Sequence, residues 1–163
     1  MGKNEETSFN GKEDTAGVIA PPPLIFLAFV LLGLLIHRLS PRGLIPEGLS
    51  GILGPILVVL SLSMFFLAVR QFKIAKTSVK PHEPTTTIIT SGPYMFSRNP
   101  IYLAMAIQCL GVALWVNSIW LMGTLILAIV VITIGVIFRE ERYLERKFGH
   151  TYLNYKTGTR RWL

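Results

Sequence analysis

The chain has 163 residues, 51% of them hydrophobic and 15% charged, with a formal net charge of +7 and a mean hydropathy of +0.51. That balance excludes an ordinary soluble domain. The cations flank apolar stretches instead of forming a basic face of their own, which argues against a nucleic-acid-binding protein.

Residues 1–17 carry Lys3, Glu5, Glu6, Lys12, Glu13 and Asp14 with almost no apolar side chains, the composition of a disordered tail. Residues 18–163 read as one integral-membrane domain. A bilayer core of about 30 Å takes about 20 apolar residues to cross, and four windows approach that length: 18–36, 49–69, 100–116 and 119–138. Pro21, Pro22 and Pro23 interrupt the first, leaving a helix expected from Leu24. The third is short and is expected to thin the bilayer locally or tilt less than its neighbours. The expected fold is therefore all-α, a polytopic membrane bundle of about four transmembrane helices with a C-terminal helical extension. Cys109 lies within the third span, where a lone thiol behaves as a small hydrophobe.

Charge orients this bundle. Arg70, Lys73, Lys76, Lys80 and Arg98 follow the second span, and Arg139, Arg142, Arg146, Lys147, Lys156, Arg160 and Arg161 follow the fourth. The first connection holds only Arg38 and Arg42, and the last holds none. Lys and Arg are retained on the cytoplasmic side, so both termini and the segment 70–99 are expected there. Most of these cations are accounted for by topology and by contact with anionic headgroups.

The third and fourth windows are joined only by Asn117 and Ser118, so the polar segments 91–103 and 139–155 return to one membrane face. Before the first of these, Pro81 and Pro84 stop any helix running on from Lys76. Residues 85–90 should be extended, and Ser91-Gly92-Pro93 should turn the chain. Asn99 and Pro100 suit the cap and first position of a helix, but capping explains neither Arg98 nor Tyr94 and Tyr102. In Glu140-Glu141 adjacent carboxylates point in different directions on a helix, so one at most is expected to face the bundle and the other water. An acid facing inward at this depth is a site candidate. Phe148-Gly149 should end that helix. Tyr152 and Tyr155 then share one helical face, as interfacial anchors or as the wall of a planar ligand. Trp162 is expected to be an anchor, and His82 and His150 have no companions at metal-ligand spacing.

The sequence GPYMFSRNPIYL, followed by a hydrophobic hairpin and EERYLERKFGHTYLNY, resembles the isoprenylcysteine carboxyl methyltransferase family, which is similar in turn to the integral-membrane phospholipid N-methyltransferases. The resemblance runs from about residue 81 to the C-terminus. It implies S-adenosylmethionine as methyl donor, held at the cytoplasmic face by a site built from residues 80–102 and 139–161, with no metal. By position it implies that Ile88 and Ile89 line the donor, and that Tyr94, Asn99, Pro100, Tyr102, Glu140 and Tyr155 bind it. Arg98 and Glu141 fall to the catalytic group, Arg98 orienting donor or acceptor. Family members that methylate prenylated cysteine carry His at the place of Asn99 and an Arg at the place aligned with Val136. Donor binding is compatible with Asn99, which still donates and accepts hydrogen bonds, whereas recognition of an acceptor carboxylate has lost its usual residue.

The expected activity is methyl transfer to a lipophilic or small thiol or carboxylate acceptor that shares the membrane with the protein. N-methylation of an ethanolamine phospholipid is the enzymatic alternative, and a non-catalytic membrane scaffold is the alternative of another class.

Overall fold

The computed structural model describes residues 15–79, 83 and 85–163. Most of the tail expected over 1–17, and the helix-stopping Pro81 and Pro84, lie outside the described residues. The elements in order are α1 (Pro22–Leu39), α2 (Glu47–Ile74), a 3-10 turn (Gly92–Met95), α3 (Pro100–Trp115), α4 (Ile119–Ile132), a π-helical turn (Thr133–Ile137), α5 (Phe138–Phe148) and α6 (His150–Gly158). Among the described residues three helical runs are long and apolar enough to cross a membrane: Pro22–Leu39, Glu47–Ile74 and Ile119–Phe148. The fourth expected span is present as α3, apolar but 16 residues long. At 1.5 Å per residue α3 reaches only about 24 Å. The protein is an all-helical integral-membrane bundle.

Helix α1 starts at Pro22, two residues earlier than expected, because proline is well suited to a first helical turn. Helix α2 packs mainly on α3, and α1 on α4. Lipid tails are as apolar as leucine, so such helices associate through close packing at small residues. Gly54 of α2 and Gly111 of α3 show this. A Cβ at Gly54 would lie 2.5 Å from the Trp115 backbone nitrogen, and one at Gly111 would lie 2.9 Å from that of Val58. Ile25, Phe26, Ala106, Leu125, Ala128, Ile132, Val136 and Ile137 form the apolar core. Leu24, Leu27, Leu31 and Leu35 of α1 and Val59, Leu60, Phe66 and Leu67 of α2 are exposed, as lipid-facing side chains should be.

The connection α1–α2 meets the connection α3–α4 at one end of the bundle. Asn117, in the left-handed region at φ 54°, accepts from Leu44 N (2.8 Å) and Ile45 N (3.0 Å) through Oδ1 and donates Nδ2 to Ile45 O (2.9 Å). Ser118 Oγ caps α4 by accepting from Leu121 N, and Trp120 Nε1 donates to Ser40 O at 2.6 Å. The polar segments on either side of the α3–α4 hairpin therefore share the opposite end.

The π turn interrupts what the sequence presented as one helix. Its Gly135 carbonyl accepts from Ile19 N at 3.4 Å, while Arg139 Nη1 donates to Gly17 O at 2.9 Å. Segment 17–19 is thereby laid along the helix that leads into the Glu140-Glu141 pair. Val136 is fully buried in the core.

Candidate functional site

The described residues between α2 and the 3-10 turn form no helix or strand. They are pinned by Thr86 N donating to Thr77 Oγ1 (3.0 Å) and Thr85 N donating to the Tyr143 hydroxyl (3.2 Å). Gly92 adopts φ +60°, and a Cβ there would sit 2.8 Å from Gln71 Nε2, so glycine serves both the turn and the close approach. Gln71 Oε1 accepts from Ser91 Oγ at 3.0 Å. The turn buries Tyr94 edge-on against Phe72, with ring centroids 5.8 Å apart.

The C-terminal residues return to this loop. Ser97 and Arg160 pair as a short parallel bridge, with Arg98 N donating to Arg160 O at 2.9 Å. Pro100 takes the first position of α3 as expected, but the Asn99 side chain does not cap the helix. It donates Nδ2 to Arg161 O at 3.0 Å instead. Trp162, expected as a membrane anchor, packs against the apolar core, because the tail that carries it is folded inward.

Both members of the acidic pair are engaged within the protein, which corrects the expectation that one would face water. Glu140 Oε1 accepts from the Tyr102 hydroxyl at 2.6 Å. Glu141 is met side by side by Arg161, with Nε to Oε1 at 2.9 Å and Nη2 to Oε2 at 2.8 Å. The two carboxylates do diverge as adjacent helical positions must, but the returning tail covers the side that a bare helix would leave wet. Arg98 Nη2 lies 3.4 Å from Glu141 Oε1, and the two side chains are 9% and 8% exposed. Nε and Nη1 of Arg98 are buried with no hydrogen-bond partner among the described residues. Arg161, counted by the sequence among the cations that follow the fourth span and given no role of its own, is thus part of the cluster, and no regular spacing in the chain marks it.

A cavity of about 460 Å³ opens here, within the range of about 300–1,000 Å³ common for small-molecule sites. Arg98, Asn99, Tyr94, Tyr102, Glu140, Glu141 and Tyr155 line it, together with Ile88 and Ile89. Pro100 does not reach it and is buried at the helix start. Residues to which the sequence assigned no role add to the wall: Phe65 and Phe72 of α2, Thr85 and Thr87 of the extended segment, and Tyr143 of α5.

Tyr155 donates its hydroxyl to the Tyr94 carbonyl oxygen at 2.7 Å, and its ring meets Tyr152 edge to face. Burial pushes the Tyr155 phenol up to about 12, against a smaller opposing pull from Arg98. Burial likewise raises Tyr94 and Tyr152, the first helped by Tyr155 and Glu140 and the second by Glu141. All three remain protonated at neutral pH, as hydrogen-bond donors and ring surfaces and not as bases.

A family model described as phospholipid methyltransferase matches residues 49–151. The chain belongs to the phospholipid methyltransferase family. The match takes in α2, the extended segment, the hairpin and the Glu140-Glu141 pair, and ends just before Tyr152. Membership makes this an integral-membrane protein of a methyltransferase family. The chain is also similar to an uncharacterized protein of Haemophilus influenzae, at 45% identity over 64 residues, which cover 39% of this chain and 100% of that relative. No solved structure matches it.

Proposed function

We propose that this protein is an S-adenosylmethionine-dependent methyltransferase acting on a lipophilic or small thiol or carboxylate acceptor, similar in its chemistry to the isoprenylcysteine carboxyl methyltransferases. The observation that carries the reading is the composition of one cavity: cationic Arg98, the Glu140 carboxyl, five tyrosines and a largely apolar wall. The donor bears a carboxylate, an ammonium, ribose hydroxyls and a planar base, and this set of side chains fits each of them. The open N–H groups of Arg98 suit a carboxylate, Glu140 suits hydroxyls or a cation, and Ile88, Ile89 and the tyrosine rings suit a base. When bound, the donor supplies a methyl group already activated on a sulfonium.

The protein's own residues then align and enclose. Phe65, Phe72 and Pro22 offer an apolar wall to an acceptor, and Tyr102 holds the Glu140 carboxylate in one orientation. Good alignment of two reactants contributes on the order of 7 kcal/mol to a barrier. Glu141 is engaged by two arginines and the tyrosines stay protonated, so these groups position, and Glu140 is left to accept a proton where one must be taken. An acceptor that is already a nucleophile, such as a thiolate or carboxylate, matches that character. The lysines and arginines around this end orient it toward the cytoplasm, with residues 80–102 and 139–161 forming the donor site.

N-methylation of an ethanolamine phospholipid is the second reading. It is favoured by the family match and by Arg98, whose open donors suit a phosphate as well as a carboxylate. Purified protein in detergent, incubated with labelled donor and either lipid or thiol extracts, separates the two acceptor classes. Calorimetry on folded protein showing no binding at millimolar donor would remove both and leave a scaffold.

A further inference from the structure

Two guanidinium groups compete for one carboxylate at Glu141, and they share it unequally. Arg161 takes both oxygens at 2.8 and 2.9 Å, whereas Arg98 reaches only Oε1, at 3.4 Å, beyond the about 2.7–2.9 Å of a charge-assisted hydrogen bond. Arg98 is consequently left with Nε and Nη1 buried and unpartnered among the described residues. Such groups are rare in folded proteins unless a ligand takes them.

The winner of this competition is held from several sides. The Arg161 guanidinium lies 4.6 Å from the Phe138 ring centroid. Its own carbonyl accepts from Asn99 Nδ2 and Ser97 Oγ, and the carbonyl before it accepts from Arg98 N. Trp162 seats the next position against the core. Every residue from Ser97 to Asn99 therefore contacts the segment that carries Arg161, while the neighbouring Glu140 is bound to Tyr102.

We propose that Arg161 is a positioning residue: by occupying both oxygens of Glu141 it keeps Arg98 free to hold an oxyanion, carboxylate or phosphate, in the cavity. This rests on the reading that the cavity binds the methyl donor or its acceptor. Without Arg161, Glu141 turns to Arg98 and closes the site from within. Removing Glu141 as well should then release Arg98 again, which a purely structural role for Arg161 does not foresee.

The test uses the full chain in detergent micelles, with R161Q, R161K and the double variant R161Q/E141Q, each checked for folding by thermal unfolding. Affinity for S-adenosylmethionine and for its decarboxylated analogue is measured by calorimetry, and the KM for lipid acceptors in parallel. Losing one charge-assisted contact corresponds to about tenfold or more in affinity, so R161Q should weaken binding by that order, R161K by less, and the double variant should recover most of it. An effect on S-adenosylmethionine alone makes the anion the donor's carboxylate, whereas a raised KM for phospholipid with unchanged donor affinity makes it the phosphate. Either supports the proposal. A double variant no better than R161Q, or an R161Q protein with wild-type donor affinity and wild-type phospholipid KM, overturns it. Nitrogen-15 NMR of the Arg98 Nε–H reads the same rearrangement without ligand: the signal should move in R161Q and return in the double variant. If wild type binds neither donor nor lipid, the methyltransferase reading fails, and an Arg98 signal unmoved by R161Q would reject the positioning role separately.

Discussion

At the end of the bundle where its two short connections meet, Asn117 makes three hydrogen bonds to the α1–α2 loop, and Trp120 bonds the carbonyl of Ser40. At the other end Arg98 keeps two guanidinium nitrogens buried and unpartnered among the described residues, beside a cavity of about 460 Å³. Both ends bring polar side chains to the edge of an apolar bundle, yet in one Asn117 is spent on tying loops and in the other Arg98 is left with donors to spare. Buried polar groups left without partners are costly, so the open end has the character of a binding site and the tied end that of a structural clamp. The contrast is one of degree: among the described residues the clamped end leaves His37 Nδ1 buried without a partner, and the cavity end leaves two nitrogens of one guanidinium.

The largest functional effect is expected from Glu140→Gln, which keeps size while removing charge and weakening the bond from Tyr102. Donor affinity measured by calorimetry should fall roughly ten- to a hundredfold, the equivalent of about 1.5–3 kcal/mol, with little change in thermal stability. A large stability loss with unchanged affinity would make Glu140 a clamp like Asn117. The complementary substitution, Asn117→Ala, removes three hydrogen bonds at a position of positive φ. It should lower unfolding free energy by about 2–3 kcal/mol in thermal unfolding and leave affinity untouched. Together these two variants test whether the ends divide the work.

Smaller effects sharpen the picture. Tyr155→Phe leaves the Tyr94 carbonyl without its donor, and affinity should drop by several-fold, about 1 kcal/mol for one neutral hydrogen bond. Glu145→Gln breaks an ion pair with Lys156 that is about one-third exposed on each side. Exposed pairs contribute about 0–1 kcal/mol, so affinity should stay within about twofold of wild type. Titration of Tyr155 in the alkaline range should show the least of all. Since burial raises the Tyr155 phenol up to about 12 against about 10 in an unfolded chain, its contribution to stability is fully present below pH 10. Stability then declines as pH climbs from there toward 12, because the unfolded state loses the proton first. Alkaline unfolding curves of wild type and Tyr155→Phe check this directly, the variant showing the shallower decline.

Much of this architecture is legible in the chain. Apolar windows at 49–69 and 119–138 read as spans because a helix must be about 20 residues long to cross hydrocarbon, and α2 and the α4–α5 run appear there. Tyr94, Arg98, Asn99, Tyr102 and Glu140 lie on the segments flanking the hairpin, and a hairpin of two helices must return its flanks to one end. Tyr152 and Tyr155 fall on one face by helical spacing, and they meet in the structure.

What the chain alone did not determine is which partner each polar group takes. Asn99 carries the local signature of a helix cap, but its amide bonds to Arg161 O, 62 residues away in sequence. Glu141 reads as a solvated helix edge until the tail folds back with Arg161, and Trp162 reads as an anchor until the same tail carries it into the core. The π turn at 133–137 has no cue in the apolar pattern beyond Thr133 and Gly135, since apolar residues flank both. Hydrophobic periodicity is a local property, set by the solvent each segment meets, so the sequence by itself determined the spans and their shared polar end. The pairing of Arg161 with Glu141, and with it the open state of Arg98, depends on contacts between distant segments, and only the tertiary structure decided it.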